Sequence, residues 1–272
     1  MKKITPLQDN SFVYSCSVQD KWGFEQFVPN HVISYQVSGE THIYHQGGTF
    51  ILKKGDILLS RRNQFVKTLK VRATDMEYKA ISVIFKQEDL QSYTKLNEID
   101  LPSRYTGKNN LLIQSTSFLK SYFQSLVPYI EQAHQSNEKM AFSKIVEIIE
   151  LLQHTQLDLK EFLFDFTGPH KIDLEEFMLK NYQYNSSIEN FAKLTGRSLA
   201  AFKRDFLKIF DLPPAQWLKN KRLEEAYYLI HHKQEKPSDF YLDLGFENLS
   251  HFYTAFKKKY GVTPSQSLLR TK

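Results

Sequence analysis

Leu199-Ala-Ala-Phe-Lys-Arg-Asp-Phe206 recurs fifty positions later as Leu249-Ser-His-Phe-Tyr-Thr-Ala-Phe256, with Phe202 and Phe206 falling on Phe252 and Phe256. Each copy follows a short helical stretch that ends near a glycine, Gly196 in one and Gly245 in the other. Helix, tight turn and helix, written twice, is the layout of a duplicated helix-turn-helix. At about 100° per residue, Leu199, Phe202, Phe206 and Ile209 share one face of the first copy's second helix, and Ala200, Arg204, Leu207 and Lys208 the other. The first face is expected to build core. The second is small near the helix start and basic further on, which suits a helix lying in a major groove with Arg204 reaching guanine O6 and N7. Ser198, Ala200, Ala201, Lys203, Arg204 and Lys208 form the DNA-contacting set expected from this copy. In the second copy Leu249, Phe252 and Phe256 turn inward, while Ser250, His251, Thr254, Lys257 and Lys258 turn outward. Hydroxyls and imidazole can read base edges there, and the lysines can meet phosphates.

The surrounding residues agree with this reading. From position 170 onward the pattern predicts short helices over 174–181, 187–195, 198–209, 214–231, 237–244 and 248–260, with a last turn from Pro264. Their starts carry Ser or Asn caps or early prolines. The excess charge also sits here: residues 170–272 hold 17 Lys and Arg against 12 Asp and Glu, whereas residues 1–169 hold 19 against 18. A run such as Lys257-Lys258-Lys259 taken alone reads as a solvated helix face. Placed on a helix with a polar outward face, inside a duplicated unit, it reads as a polyanion contact.

At these residues the sequence resembles the AraC/XylS family of bacterial transcription regulators. The resemblance covers roughly residues 170–270. It is carried by Gly245-Phe-Glu-Asn-Leu-Ser-His-Phe252 with Phe256-Lys-Lys-Lys-Tyr-Gly-Val-Thr-Pro264, by Ala192, Gly196, Ser198, Phe202, Arg204 and Phe206, and by Pro214, Trp217, Arg222-Leu223 and Ala226. It implies a bipartite DNA-binding domain in which a central helix, here 214–231, holds two recognition helices so that they enter successive major grooves. It also implies double-stranded promoter DNA as partner and RNA polymerase as the machinery served, in an activator or a repressor. Three positions depart from the family pattern: Asp211 stands where a glycine usually turns the chain, Tyr241 where a small residue is usual, and Thr254 where arginine is common. The first unit, with Arg204, is therefore expected to carry more of the sequence reading.

Toward the amino terminus the pattern changes. Apolar segments at 11–18, 32–37, 41–44, 49–52, 57–59, 65–71 and 78–85 alternate with turn residues such as Gly39, Gly47-Gly48 and Lys54-Gly55-Asp56. Short strands at close spacing indicate an all-β sandwich or barrel. Leu52-Lys-Lys-Gly-Asp-Ile-Leu-Leu59 resembles the turn-and-strand segment of cupins, which implies a cupin-like β-barrel. From Thr116 the period becomes helical: Phe118, Leu119, Tyr122, Phe123, Leu126, Val127 and Ile130 form one stripe, and Phe142, Ile145, Val146, Ile149 and Leu152 another. Two readings stand for these helices, a homodimer seam or packing against their own barrel. Gly168-Pro169 breaks any helix and marks a linker.

The expected organisation is thus α+β and multidomain: a cupin-like effector or regulatory β-barrel domain over 1–115, a helical dimerisation segment over 116–164, a linker over 165–172, and an all-α domain of two helix-turn-helix units over 173–272. The 272 residues, 41% apolar and 14% aromatic, suit packed cores at the usual domain size of ~100 to 200 residues. No run of 18 apolar residues is present, and Met1 to Pro6 carries no apolar secretory stretch, so a cytoplasmic protein with no membrane partner is expected. The single cysteine, Cys16, is read as a small buried or half-buried residue with no redox role.

Three functions remain: a DNA-binding regulator whose barrel senses a small molecule, the same regulator controlled by a docked protein, and a metal-dependent cupin enzyme with a DNA-binding attachment. His42 and His45 lie three apart, on opposite faces of a strand, so they do not share a metal. With His31 they are read as surface or pocket-wall histidines, and no catalytic residue, metal or cofactor is expected.

Overall fold

A computed structural model of the chain describes residues 11–22, 26–45, 48–74, 76–100, 104–132, 137–154, 159–168 and 171–269. Gly47, Pro169 and His170, on which expectations fell, lie outside the described residues, as does the side chain of His45. The chain divides into two compact units; residues 28–167 belong to one and residues 168–272 to the other.

The first unit is rich in sheet. In chain order the strands are β1 (Phe12–Ser17), β2 (Lys21–Trp22), β3 (Gln26–Val28), β4 (His31–Ser38), β5 (Glu40–His45), β6 (Gly48–Leu52), β7 (Ile57–Ser60), β8 (Gln64–Val71), β9 (Tyr78–Phe85) and β10 (Asn110–Ile113). The expected barrel is in fact two open sheets. One runs β1-β9-β4-β7-β10, the other β2-β8-β5-β6 with β3 also on β8. Among the described residues the edge strands β1 and β10 pair only within their own sheet, so the ladder does not close.

Period-two alternation explains what each face does. On β4, Ile33, Tyr35 and Val37 pack into the main core, whereas Ser34 and Gln36 turn toward the second sheet. That core lies between the first sheet and a layer of helices: α1 (Gln87–Leu96), α2 (Ser117–Ser125), α3 (Val127–Glu131), α4 (Glu138–Gln153) and α5 (Lys160–Phe164). It joins Val83, Phe85, Phe123, Ile145, Ile149 and Phe162, all fully buried. Tyr122 and Leu126 belong to it as well, which for these two residues favours packing against their own sheet over a seam between subunits. Of that stripe Phe118 stays in solvent, at 73% exposure.

Between the two sheets the packing is different. Thr41 on β5 donates to Gln36 Oε1 (2.6 Å) and accepts from Tyr78 (2.7 Å), and Lys70 on β8 donates to Ser15 on β1 (3.3 Å). Leu58 meets Ile43 and Leu52. Val32, Ser34, Thr68, Lys70, Ser82 and Ile84 along this side are only half-buried.

Two single-residue readings change. Cys16 is exposed, because β1 outruns its helical cover: along the same face Phe12 is buried, Tyr14 half-buried and Cys16 open. His31 is a buried core histidine rather than a surface or pocket-wall one. Its ring packs on Phe162 (5.4 Å between centroids) and its Nδ1 accepts from the Arg62 amide (3.3 Å). Burial, with Arg62 and Arg61 nearby, pushes its pKa down to about 3. Around it Arg62 donates to the carbonyls of Asp165 (2.8 Å) and Thr167 (2.6 Å), and Arg61 pairs with the Asp165 carboxylate. Burial alone would raise Asp165, but hydrogen bonds from Thr167 and Tyr105 and the charge of Arg61 hold it below its ordinary value.

The second unit is helical: α6 (Leu174–Asn181), α7 (Ile188–Leu194), α8 (Leu199–Phe210), α9 (Pro214–His232), α10 (Pro237–Phe240), α11 (Leu249–Tyr260) and α12 (Pro264–Leu269). Starts are capped as the sequence implies. Asp173, Ser187, Ser198 and Asn248 each accept from a backbone amide three residues on. No described helix of the chain is long and apolar enough to cross a membrane.

Candidate nucleic-acid interface

Two helix-turn-helix units flank α9. In the first, α7 and α8 bury Phe191, Phe202 and Phe206, and Trp217 of α9 closes the cluster with its ring 5.5 Å from Phe206. In the second, Phe240, Phe246, Phe252 and Phe256 pack with Leu223, Ala226 and Ile230 of α9. Both turns use one device. Gly196 and Gly245 adopt φ of 67° and 75°, the left-handed region that glycine enters without steric cost. The amide after each glycine then reaches back five residues: Arg197 to the Ala192 carbonyl (3.0 Å) and Phe246 to that of Tyr241 (3.1 Å). Both are Schellman closures, which satisfy the last carbonyls of a helix.

The repeat is not uniform. The phenylalanines lie 50 apart but the two glycines 49, so the second turn is one residue longer. Phe246 fills the extra space, its ring 5.0 Å from Phe252. Tyr241 then matches Ala192. Ala192 is buried, whereas Tyr241 is half-buried at the margin of the second core. The helix expected over 237–244 is helical only to Phe240 and continues as turns.

The outward faces carry the expected residues. On α8, Ala200, Lys203, Arg204, Leu207 and Lys208 are exposed, as is the cap Ser198, and Ala201 is half-buried. Ile209 is the exception to the inward set, at 42% exposure. In the last turn Phe210 takes the inward place, wedged against Phe206 (4.4 Å) and Trp217 (4.5 Å). Asp211 then ends the helix at φ 54° and redirects the chain into α9. Asp tolerates that left-handed conformation at modest cost, and Gly261 does the same after α11 at φ 76°. On α11, Ser250, His251, Thr254, Lys257 and Lys258 are exposed. The Thr254 hydroxyl donates to the Ser250 carbonyl (3.0 Å).

Lys259, the third lysine of the run, turns away from that face. Its Nζ meets the Asn220 carbonyl (3.0 Å) and Glu224 (3.1 Å) on α9. Burial would raise Glu224, but Lys259 and Lys221 hold it below its ordinary value. Tyr260 adds a bond to the Leu223 carbonyl (3.2 Å). These contacts fasten α11 to the central helix.

Three residues that matter to the geometry are missing from the expected set. Arg222 of α9 donates to the carbonyls of Tyr182 (3.1 Å), Tyr184 (2.7 Å) and Gly245 (3.1 Å), and so joins the loop before α7 to the turn of the second unit. Arg197 and Asp205 pair at 3.2 Å beside α8. The resemblance marked Arg222 without a role; an i, i+8 charge pair spanning a turn has no periodic signature.

Two family models match the chain. One, described as a helix-turn-helix domain, covers residues 191–270, and the other, described as the ExsA N-terminal regulatory domain, covers residues 31–166. The HTH-type transcriptional regulator ExsA of Pseudomonas aeruginosa is 24% identical over 234 residues, which is 85% of this chain and 83% of that protein. The thermoregulatory protein LcrF of Yersinia pestis is 22% identical over 240 residues, 87% of this chain and 85% of that one. Among solved structures, fatty-acid-bound wild-type ToxT of Vibrio cholerae is similar with a TM-score of 0.44 and 14% identity, over 99% of this chain and 97% of that one.

Proposed function

Because the chain belongs to the AraC/XylS family of transcription regulators, a DNA-binding protein with an N-terminal regulatory domain and not an enzyme, we propose that α8 and α11 are its two recognition helices. The observation that carries this reading is the pair of exposed polar and basic faces held on one central helix by Arg222, Lys259 and Tyr260. On α8, Ser198, Ala200 and Ala201 let the helix approach the groove, Arg204 reads a guanine, and Lys203 and Lys208 meet phosphates. On α11, Ser250, His251 and Thr254 face base edges, and Lys257 and Lys258 meet phosphates. Because the Thr254 hydroxyl is already bonded within its helix, the first unit carries more of the reading.

The partners of this reading are promoter DNA and RNA polymerase, with activation as the mode of control and the cytoplasm as the place of action. The domain limits proposed are 1–115 for the regulatory β domain, 116–164 for a helical dimerisation segment, 165–172 for the linker and 173–272 for the reader. The regulatory unit senses a small molecule through its cupin-like sheets, a reading supported by the match to an N-terminal regulatory domain. A homodimer fits the reading through a surface other than Tyr122 and Leu126, which are core.

The test is a titration of full-length protein against sites enriched from a random double-stranded library. Arg204→Ala is expected to lose about 1 to 3 kcal/mol of specific binding and relax preference at one or two positions. Unchanged affinity and preference would contradict the assignment of α8 as reader.

A further inference from the structure

Arg204 and Asp205 are adjacent on α8 but face different surroundings. The Arg204 side chain is exposed. That of Asp205 occupies the position matching buried Ala255 in the second unit and is mostly covered. Asp205 Oδ2 accepts from Arg197 Nε (3.2 Å), and Lys171 Nζ lies 3.6 Å away. Arg197 is itself fixed, since its Nη1 donates to the carbonyls of Ile172 (3.0 Å) and Thr195 (2.8 Å). The carboxylate is thus held to the turn between α7 and α8 and to the segment entering α6. Its other oxygen, Oδ1, sits 3.5 Å from Arg204 Nε.

From this geometry we infer that Asp205 is a specificity-determining positioning residue, which acts on DNA through Arg204. The inference rests on the reading of Arg204 as the base-contacting arginine. An arginine whose Nε faces the carboxylate at ion-pair distance keeps both terminal nitrogens for a bidentate contact to guanine O6 and N7. Holding a four-torsion side chain near its bound direction lowers the ordering cost of that contact. The second unit carries Thr254 and Ala255 at the matching positions and has no equivalent pair, so this device belongs to the first unit alone.

The experiment uses full-length protein on duplexes enriched from a random library and on their single-base variants, across a salt series. Wild type, Asp205→Asn, Asp205→Glu, Arg204→Ala and the double variant Asp205→Asn with Arg204→Ala are compared, with thermal melts as the check on folding. Asp205→Asn is expected to reduce discrimination about fivefold to tenfold at the base pair that Arg204→Ala relaxes, and at no other. Asp205→Glu should restore part of the discrimination. In the Arg204→Ala background, Asp205→Asn should add no further loss of discrimination. Discrimination lost in Arg204→Ala but kept in Asp205→Asn would overturn the role of Asp205 alone. A uniform loss at every position, unchanged by the Arg204→Ala background, would do the same by marking Asp205 as merely structural. An Arg204→Ala variant that keeps every preference would overturn the reading of Arg204 and this inference with it.

Discussion

Arg222 Nη1 donates a 3.1 Å hydrogen bond to the carbonyl of Gly245, and the guanidinium lies so close that a Cβ at Gly245 would come within 2.8 Å of its central carbon. A side chain of the linker helix is therefore seated against the turn of the second helix-turn-helix, while its other nitrogens hold the loop before the first. The spacing of α8 and α11 depends on this seat.

Arg222→Lys should accordingly destabilise the second unit by roughly 2 kcal/mol, since an ammonium cannot span three carbonyls and leaves partly buried acceptors unmet. Gly245→Ala should cost about 1 to 3 kcal/mol, through positive φ and the clash with Arg222. Chemical denaturation of the full chain, followed by its helical circular dichroism, checks both. A change below about 0.5 kcal/mol in either would contradict the seat.

Lys258→Ala should weaken binding to all duplexes alike and lower the slope of log affinity against log salt by about one, as loss of one phosphate contact requires. Lys259→Ala should leave that slope unchanged and reduce stability instead, because Lys259 is engaged with Glu224. Salt titrations of the two variants side by side separate the roles.

The regulatory unit should lose stability as pH falls below about 6.5. His31 has a folded pKa near 3 against 6.5 when unfolded, so the unfolded chain takes up a proton that the folded one refuses. The sign is destabilising on acidification, at up to about 1.4 kcal/mol per pH unit between those values. Asp165, depressed below its ordinary 3.8, adds a further loss only at lower pH. His31→Asn, which keeps an acceptor for the Arg62 amide, should flatten the dependence. Thermal unfolding from pH 7.5 to 5 with no difference between the two proteins would contradict this.

Leu126→Ala should destabilise the regulatory unit by about 2 to 4 kcal/mol, the usual cost of emptying a filled core position, and Phe118→Ser by less than about 0.5. Melting curves of both variants distinguish a core stripe from a surface one. Equal small effects would restore Leu126 to the surface.

Much of this was legible in the residues, for physical reasons that differ by region. In the reader, phenylalanines at helical spacing, caps at Ser198 and Asn248, and glycines at left-handed positions each enforce local structure, so α8 and α11 lie within a residue of their expected bounds. In the sheet unit, strands β4 to β9 follow from alternation. β10 lacks it, because Leu111 and Leu112 are both apolar although only Leu111 packs on the core. Helix α1 is mostly polar, with Leu90, Tyr93 and Thr94 as its buried residues, so its stripe is thin. The role of Tyr122 and Leu126 depends on which surface a helix meets, and that is set by distant strands. Arg222, Arg197 and Asp205 act through contacts between elements, which periodicity does not encode.

The footprint of one full-length molecule reports α8 and α11 at once. Hydroxyl-radical cleavage of a duplex carrying a single library-enriched site should show two protected segments on one face, about 10 base pairs apart, since two recognition helices fixed to one central helix enter successive major grooves. Arg204→Ala should weaken one segment and leave the other. Protection confined to a single groove segment in the wild-type protein would contradict the claim that α8 and α11 read DNA together.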